Sequence, residues 1–228
     1  MREIVAAAFV SLDGVMQAPG GPQEDPTGGF AHGGWVPAFW DDALTAAMNA
    51  VFARPFDLLL GRRTFDIFAA HWPFVPTDPA ANDFDALNAT IAEKFARITK
   101  YVATHRPESL SWQNSEALAP DTVAALRALK AGDGPPLLTQ GSTELLKLLF
   151  ENDLVDELRL TTFPLLLGPG KRLFPAAAQA GAWKLADSSV SSTGVVMATY
   201  RRAGAVESGS FDFETPTEAE LERRRTLV

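Results

Sequence analysis

Short apolar runs alternate with amphipathic segments along most of the chain. Residues 4–10 lack any polar alternation, as expected of a strand buried on both faces, although periodicity alone does not distinguish such a run from a short buried helix. Further strands are predicted at residues 57–61, 98–104, 137–140 and 154–162. Helices are predicted between them, at residues 39–52, 62–70, 83–95, 121–130 and 141–150.

The C-terminal third of the pattern differs from the rest. Residues 183–191 and 195–202 read as two strands joined at 192–194, which is typical of an antiparallel hairpin. Strands interleaved with helices and closed by such a pair predict a single-domain α/β fold with a mixed, mostly parallel sheet. We assign residues 1–204 to this domain. Residues 205–228 hold six acids and three arginines and predict a peripheral tail with a short helix from Thr217.

Composition excludes several classes of protein. The 228 residues include no cysteine, which excludes a disulfide scaffold, a cysteine-ligated metal site and a thiol nucleophile. A net charge of −8 gives no basic footprint for nucleic acid or an anionic membrane. No run approaches a membrane helix, and the first residues do not form a signal peptide. The sequence therefore predicts a cytoplasmic protein.

Several common catalytic motifs are missing from the sequence. The three histidines, His32, His71 and His105, show no metal-ligand spacing, so we predict no metal site. There is no GxSxG elbow, no GxxxxGK[ST] loop and no GxGxxG after the first strand. A serine hydrolase, a P-loop enzyme and a dehydrogenase of the GxGxxG type are each poorly supported.

Small and basic residues follow three of the predicted strands. Residues 61–64 (Gly-Arg-Arg-Thr) open a helix, where bare N–H groups, a hydroxyl and two guanidiniums suit an anion. The alternative is an ordinary helix start with exposed arginines. Because basic residues in a first turn oppose the helix dipole, their presence favours anion binding.

The other two strand ends have similar chemistry. Residues 141–143 (Gly-Ser-Thr) suit a diphosphate at a helix start, although this tripeptide is equally typical of a simple cap. Residues 104–106 (Thr-His-Arg) follow another strand. Since ligands of open α/β sheets bind at the carboxyl ends of strands, the three ends together predict a nucleotide cleft.

Five motifs resemble the dihydrofolate-reductase-like superfamily, and more closely the branch that includes the reductase domain of bifunctional riboflavin biosynthesis enzymes (the RibD C-terminal domain). They are residues 11–14 (SLDG), 60–65 (LGRRTF), 141–142 (GS), 154–158 (LVDEL) and 164–174 (PLLLGPGKRLF). The resemblance extends to about residue 202, and the last two motifs are the most specific.

This resemblance implies a three-layer fold with an eight-stranded sheet, a homodimer and NADPH-dependent reduction. The phosphates would be held by Gly61, Arg62, Arg63 and Thr64, with Thr104, His105 and Arg106 near the adenosine 2′-phosphate. The diphosphate site would include Gln140, Gly141, Ser142, Thr143, Glu144 and Leu145. The nicotinamide would lie against Ala7, Ala8 and residues 11–14, including Gly14.

The chain also departs from these relatives. Gln140 stands where the riboflavin-pathway reductases carry an acid, which puts their ribosyl-pyrimidine substrate in doubt. The zinc ligands of a deaminase domain are missing. Asp41 or Asp42 would occupy the place of the acid that serves the pterin ring, or would simply complement the helix dipole. His32 or Trp35, in or beside the glycine-rich loop 17–34, would enter the substrate pocket.

The leading hypothesis is hydride transfer from NADPH to a C=N or C=O bond of a small planar substrate, pterin- or pyrimidine-like. The cofactor carries the hydride chemistry, so the protein mainly positions the reactants and supplies a proton. Asp13 is the predicted catalytic residue, as proton relay or substrate anchor, with an Asx-turn as the alternative. The rival hypothesis is a non-catalytic, dimeric nucleotide-binding protein that retains the reductase fold.

Overall fold

The computed structural model describes residues 1–211 and 215–227, and within these ranges it contains eight strands and six α-helices. The strands are β1 (Ile4–Ser11), β2 (Asp57–Gly61), β3 (Lys100–Ala103), β4 (Ser115–Ala117), β5 (Leu137–Gln140), β6 (Glu157–Phe163), β7 (Ala182–Val190) and β8 (Val196–Gly204). The helices are α1 (Asp42–Ala53), α2 (Arg62–His71), α3 (Ala86–Arg97), α4 (Thr122–Ala131), α5 (Thr143–Glu151) and α6 (Glu218–Arg225).

All eight strands form one sheet, in the order β4-β3-β2-β5-β1-β6-β8-β7. Neighbouring strands from β4 to β6 run parallel, whereas β8 is antiparallel to β6 and to β7. The predicted mixed sheet with an antiparallel C-terminal hairpin is therefore confirmed. Two register irregularities interrupt the pairing of β7 with β8, one near Ala182 and one between Leu185 and Asp187.

Helices cover both faces of the sheet, because successive side chains of a strand point to opposite sides. In β1, Ala6 and Ala8 pack with α4 and α5, while Val5 packs on the opposite face. That opposite face holds an aromatic cluster with Phe52, Phe65 and Phe95 from α1, α2 and α3. The arrangement gives three layers, and no helix among residues 1–211 and 215–227 combines the length and apolarity needed to cross a bilayer.

The helices differ in how their N-termini are satisfied. A side-chain oxygen accepts a first-turn N–H in α1, α3, α4 and α6, provided by Asp41, Asp85, Asp121 and Thr217. Neither α2 nor α5 has such a side-chain cap. The bare N–H groups of these two helices therefore lack the partner that caps normally supply.

Some element boundaries differ from the predicted ones. β6 begins at Glu157 rather than at residue 154, because Leu154 donates its N–H to the Leu149 carbonyl (3.0 Å) after Asp153 at φ 60°. Strand β4 was not predicted. The helix predicted from Thr217 is α6. Residues 212–214 and 228 of the predicted tail lie outside the described residues.

Candidate active site

The carboxyl ends of β2 and β5 meet in close contact. The Gly61 N–H donates to the Ser142 hydroxyl at 2.9 Å. A Cβ atom added to Gly61 would lie 3.2 Å from the Cβ of Ser142, which is tighter than ordinary van der Waals contact. Glycine at this position therefore permits the close approach of the two strand ends, whereas its φ of −75° is one that any residue adopts.

Residues 141 and 142 form a left-handed corner before α5. Gly141 has φ 73°, and Ser142 has φ 68° and ψ 70°, a conformation that is uncommon for a residue with a side chain. The hydroxyl of Ser142 does not cap α5 and instead accepts from Gly61. The simple-cap interpretation of residues 141–143 is therefore wrong, because the Ser142 side chain leaves the first turn of α5 uncapped.

Two uncapped helix N-termini thus lie side by side at the carboxyl edge of the sheet. Within the described ranges, the hydroxyls of Thr64 in α2 and Thr143 in α5 have no protein partner. Free N–H groups, hydroxyl donors and the positive ends of two helix dipoles converge there, an arrangement that binds phosphate groups well.

Arg62 connects this junction to the end of β3. Its guanidinium pairs with Asp66 at 2.9 Å and also donates to the Ser109 hydroxyl at 2.6 Å and the Arg106 carbonyl at 3.2 Å. The hydroxyl of Thr104 lies 3.4 Å from the same guanidinium. The structure therefore brings together the predicted residues 61–64 and 104–106.

The two other side chains of this cluster face solvent. His105 and Arg106 are exposed, and neither side chain has a partner in the part of the chain that the structure describes. Together with Arg62 they form a small basic surface next to the uncapped start of α2. Guanidinium groups of this kind recognise phosphate through charge-assisted hydrogen bonds.

Arg63 points the opposite way, toward the glycine-rich loop. Its guanidinium lies 3.2 Å from the Asp25 carboxylate and 2.9 Å from the Thr27 hydroxyl. Lys171 contacts the same carboxylate and the same hydroxyl. Burial raises the pKa of Asp25, but hydrogen bonds from Lys171 and Thr27 outweigh this effect and lower it below the usual value. Arg63 is therefore already paired with an internal carboxylate.

The glycine-rich loop 17–34 is held down by Gln17. Its amide donates to the carbonyls of Asp25 (2.9 Å) and Thr27 (2.8 Å), while its own backbone carbonyl accepts from the Trp35 indole at 2.8 Å. Trp35 is only 7% exposed and belongs to the core, so the prediction that it enters a substrate pocket is wrong. His32 is exposed and its ring lies 5.9 Å from that of Phe30.

The Asp13 carboxylate joins the turn after β1 to the loop at residues 164–174. It accepts from the Ser11 hydroxyl at 2.6 Å and from the N–H groups of Leu167 (3.1 Å) and Gly168 (2.9 Å). These donors, the Ser11 hydroxyl foremost, lower the pKa of Asp13 to about 2. A carboxylate so fully engaged favours the structural alternative over a proton relay.

We expect Asp13→Asn to remove an acid-sensitive component of stability. Because the folded pKa of about 2 lies below the usual 3.8, ionised Asp13 stabilises the fold above that usual value and this contribution disappears as the pH falls through the folded pKa. In denaturant unfolding, the difference in unfolding free energy between wild type and variant should be constant near neutral pH and should disappear toward about pH 2.

The exposed Asp83, which has no partner among the described residues, provides the matched control. Asp83→Asn should track the wild type over the same range of pH. If the difference in unfolding free energy for Asp13→Asn stays constant down to about pH 2, the ionised Asp13 carboxylate does not stabilise the fold as proposed.

The remaining predicted cofactor residues fall into two groups. Ala8 and Leu145 have their side chains in the core, so only their backbone is available to a ligand. Gln140 ends β5 beside Ala7, and Glu144 is exposed in the first turn of α5. Gly14, at φ 80°, closes the turn after β1 by donating to the Ser11 carbonyl at 2.9 Å.

The two acids at the start of α1 have structural explanations within the fold. Asp41 accepts from the Leu44 N–H at 3.0 Å and from the N–H and hydroxyl of Ser192 at 3.0 and 2.7 Å. These bonds lower the pKa of Asp41 and tie α1 to the β7–β8 turn. Asp42 is exposed in the first turn. The position of Asp41 is therefore explained by its role as the cap of α1, without any contact to a substrate ring.

Sequence reasoning missed Lys171, Asp25 and Arg159. Lys171 belongs to the motif at residues 164–174, for which the sequence alone indicates no chemical role. Arg159 follows two positions after Glu157 in a strand that is otherwise mostly apolar, and this alternation was the available signal. It pairs in register with Ala7, so a guanidinium stands beside the strand expected to face the nicotinamide.

Comparison with known proteins agrees with this architecture. The family described as RibD C-terminal domain matches residues 2–197. The uncharacterized protein YyaP of Bacillus subtilis (strain 168) is 25% identical over 204 residues, covering 89% of this chain and 96% of that protein.

Two solved structures show the same fold. A Shewanella sp. PV-4 protein, provisionally named a riboflavin biosynthesis protein, aligns with a TM-score of 0.55 and 19% identity, covering 88% of this chain and 99% of that one. Dihydrofolate reductase from Enterococcus faecalis, complexed with NADP(H) and RAB-propyl, aligns with a TM-score of 0.51 and 15% identity, covering 88% of this chain and 96% of that one. The chain belongs to the RibD C-terminal domain family and has a dihydrofolate-reductase-like fold.

Proposed function

We propose that the protein is an NADPH-dependent reductase that transfers hydride to a C=N or C=O bond of a small planar substrate, pterin- or pyrimidine-like. The observation that carries the proposal is the pair of uncapped N-termini of α2 and α5, held together by the bond from Gly61 to Ser142. Family membership supports reduction as the class of reaction, and the fold is shared with a reductase solved with NADP(H).

The residues at this edge fit a dinucleotide. Thr64, Thr143 and the first-turn N–H groups of both helices would hold the diphosphate. Arg62, Thr104 and the exposed His105 and Arg106 would hold the 2′-phosphate that distinguishes NADPH from NADH. When bound, NADPH supplies the hydride, and the protein supplies position and charge.

The chain's own contribution near the reacting atoms is positioning. The turn after β1 is held in one conformation by the Asp13 hydrogen bonds and by the Leu173 N–H, which donates to the Gly14 carbonyl at 3.0 Å. Such a rigid turn would keep the nicotinamide against β1 and exclude water from that side. Asp13 is thus proposed to position the turn, and a separate proton source is expected.

We expect NADPH to raise the melting temperature more than NADH, because only NADPH carries the 2′-phosphate. A ligand bound only to the native state adds about 2.7 kcal/mol at a concentration 100 times its Kd. Arg62→Met should weaken NADPH binding by about 1.5–3 kcal/mol, the usual value of a charged hydrogen bond, and leave NADH binding unchanged. Thermal shift and titration calorimetry measure both effects.

Arg97→Met is the matched control, since Arg97 is an exposed helical arginine whose one ion pair among the described residues is with Glu93, at 3.4 Å. It should bind both dinucleotides as the wild type does. If neither dinucleotide shifts the melting temperature, the cofactor assignment fails. If NADPH binds but is not oxidised across a panel of pterins, pyrimidines and quinone-like carbonyls, the non-catalytic alternative is favoured. The homodimer and the cytoplasmic location remain predictions from the sequence.

A further inference from the structure

Three charged side chains from separate segments converge beside the proposed cofactor site. Asp25 lies in the glycine-rich loop, Arg63 in the first turn of α2 and Lys171 in the loop at residues 164–174. The Asp25 carboxylate is 3.2 Å from the guanidinium of Arg63 and also accepts from the ammonium of Lys171. The hydroxyl of Thr27 accepts from both cations, at 2.9 Å each. The proposed function gives no role to these side chains.

The cluster borders the junction of α2 and α5. Arg63 is the second residue of α2, whose N-terminus has no side-chain cap. Lys171 donates its N–H to the side-chain oxygen of Gln17 at 3.1 Å, and its carbonyl accepts from the Met16 N–H at 2.9 Å. Met16 reaches the other helix, because its terminal methyl lies 4.0 Å from the place of a Cβ added to Gly141. The cluster therefore lies next to both helix N-termini of the proposed diphosphate site.

The three contacting groups have more positive than negative charge. One carboxylate and two cations give a formal charge of +1 (−1 + 2), in a chain that carries −8. Glu24, the neighbouring carboxylate, instead accepts from two glycine N–H groups of its own turn, at 2.6 and 3.3 Å. A local excess of positive charge attracts an anion at short range, even where the whole protein is acidic.

The members of the cluster differ in burial. The side chain of Asp25 is 10% exposed, that of Lys171 is 30% exposed and that of Arg63 is 58% exposed. A carboxylate as buried as Asp25 is costly unless a cation compensates it, whereas a largely exposed guanidinium gains little from the same pair. Lys171 can therefore balance Asp25 by itself. Arg63 is then the cation that a ligand can use.

The hydrogen bonds of Arg63 leave part of its guanidinium available. Only the Nη1 atom is bonded within residues 1–211 and 215–227, and Nε and Nη2 have no protein acceptor there. A guanidinium can bind phosphate oxygens through two such donors at once. Beside the uncapped first turns of α2 and α5, these donors suit a diphosphate.

We propose that Lys171 is a positioning residue of the cofactor site, because it neutralises Asp25 and thereby leaves Arg63 free to bind the diphosphate of the dinucleotide. The inference rests on the proposed function, since the diphosphate belongs to the proposed cofactor. Without the Lys171 ammonium, Arg63 would be the remaining cation in contact with a buried carboxylate and would be held by it. The glycine-rich loop, which carries Asp25, thus affects how well the site binds an anion.

The test measures the binding of inorganic pyrophosphate, NADPH and adenosine 2′-monophosphate by titration calorimetry. Lys171→Met should lower the affinity for pyrophosphate and for NADPH by about tenfold, equivalent to about 1.4 kcal/mol. Adenosine 2′-monophosphate has no diphosphate and should bind as it does to the wild type, so a general loss of structure would be recognised. Lys184→Met is the matched control, because Lys184 is an exposed lysine of β7 and its loss changes the net charge equally. This control should bind all three ligands normally.

Two further variants separate charge compensation from a merely structural role of Lys171. Lys171→Arg keeps the charge and should bind pyrophosphate normally. Adding Asp25→Asn to Lys171→Met removes the carboxylate that holds Arg63 and restores the cluster to a charge of +1, so pyrophosphate affinity should return to near the wild-type value. If Lys171 only supported the loop, the double variant would bind no better than Lys171→Met.

Failure of this inference and failure of the proposed function give different results. Normal NADPH binding by Lys171→Met, no recovery in the double variant, or no pyrophosphate binding by the wild-type protein would each overturn the role of Lys171. Pyrophosphate binding that depends on Lys171, without any binding of NADPH, would instead overturn the cofactor assignment and leave the anion site standing.

Discussion

Replacing Glu157 by glutamine is expected to lower the free energy of unfolding by about 2–3 kcal/mol. This lies between the cost of breaking a fully buried ion pair and that of an exposed one, because Glu157 is buried while Arg201 is half exposed. The glutamine would fill the same space but would leave the guanidiniums of Arg159 and Arg201 without the buried charge that compensates them. The measurement is urea denaturation of the purified variant. The slope with denaturant should stay near that of the wild type, since the folded core is otherwise unchanged.

Glu3→Gln offers a matched comparison, because Glu3 pairs with the same Arg201 but is half exposed. Exposed ion pairs contribute about 0–1 kcal/mol, so this variant should lose little stability. Equal losses of unfolding free energy for the two variants would contradict the larger contribution expected of the buried Glu157. A loss confined to Glu157→Gln would identify it as the carboxylate that holds both arginines in place.

Replacing Gly61 by valine is expected to separate the two helix N-termini that form the proposed diphosphate site. Even a single Cβ at this position would lie 3.2 Å from the Cβ of Ser142 and 3.3 Å from its hydroxyl oxygen. The branched side chain must push α5 away from α2 or break the bond from Gly61 to Ser142. We expect NADPH affinity to fall by about tenfold or more, equivalent to about 1.4 kcal/mol, with NADH affected equally.

Equal effects on both dinucleotides distinguish this variant from Arg62→Met, which should affect NADPH alone. Gly132→Ala provides the control, since a Cβ there would meet its nearest neighbour, the Leu129 carbonyl oxygen, at an ordinary 3.4 Å, at the far end of α4. It should bind NADPH normally in calorimetry. Normal dinucleotide binding by Gly61→Val would show that the two helix ends do not act as one site.

Prolines and glycines next to apolar runs were enough to predict the bounds of two strands correctly. β2 and β5 occupy the predicted residues 57–61 and 137–140. In each case prolines precede an apolar run and a glycine ends or follows it, so the boundaries are set by local backbone preferences. β4 was missed because Ser115–Ala117 contains no apolar run and is held by its pairing with β3.

The contacts that define the candidate site were harder to predict, because they join residues distant in the chain. Ser142 bonds to Gly61 across 81 positions, and Asp25 meets Arg63 across 38. Residue type alone indicated phosphate binding for Arg62 and Arg63 equally. Both guanidiniums pair with a carboxylate, Arg63 with Asp25 and Arg62 with Asp66. Only the packing shows that Arg62 also lies near Thr104.

The two register irregularities in β7 affect whether copies of this protein can associate through the edge of the sheet. Unpaired strand edges invite other chains to add strands, and β7 is nine residues long and largely exposed. Its two register shifts interrupt the regular spacing of backbone donors and acceptors along the strand. The exposed side chains of Lys184 and Asp187 add charge to this edge of the sheet. β4, at the opposite edge, is only three residues long. Neither border of the sheet is a good template for fibre growth, so association between folded copies should proceed through side-chain surfaces.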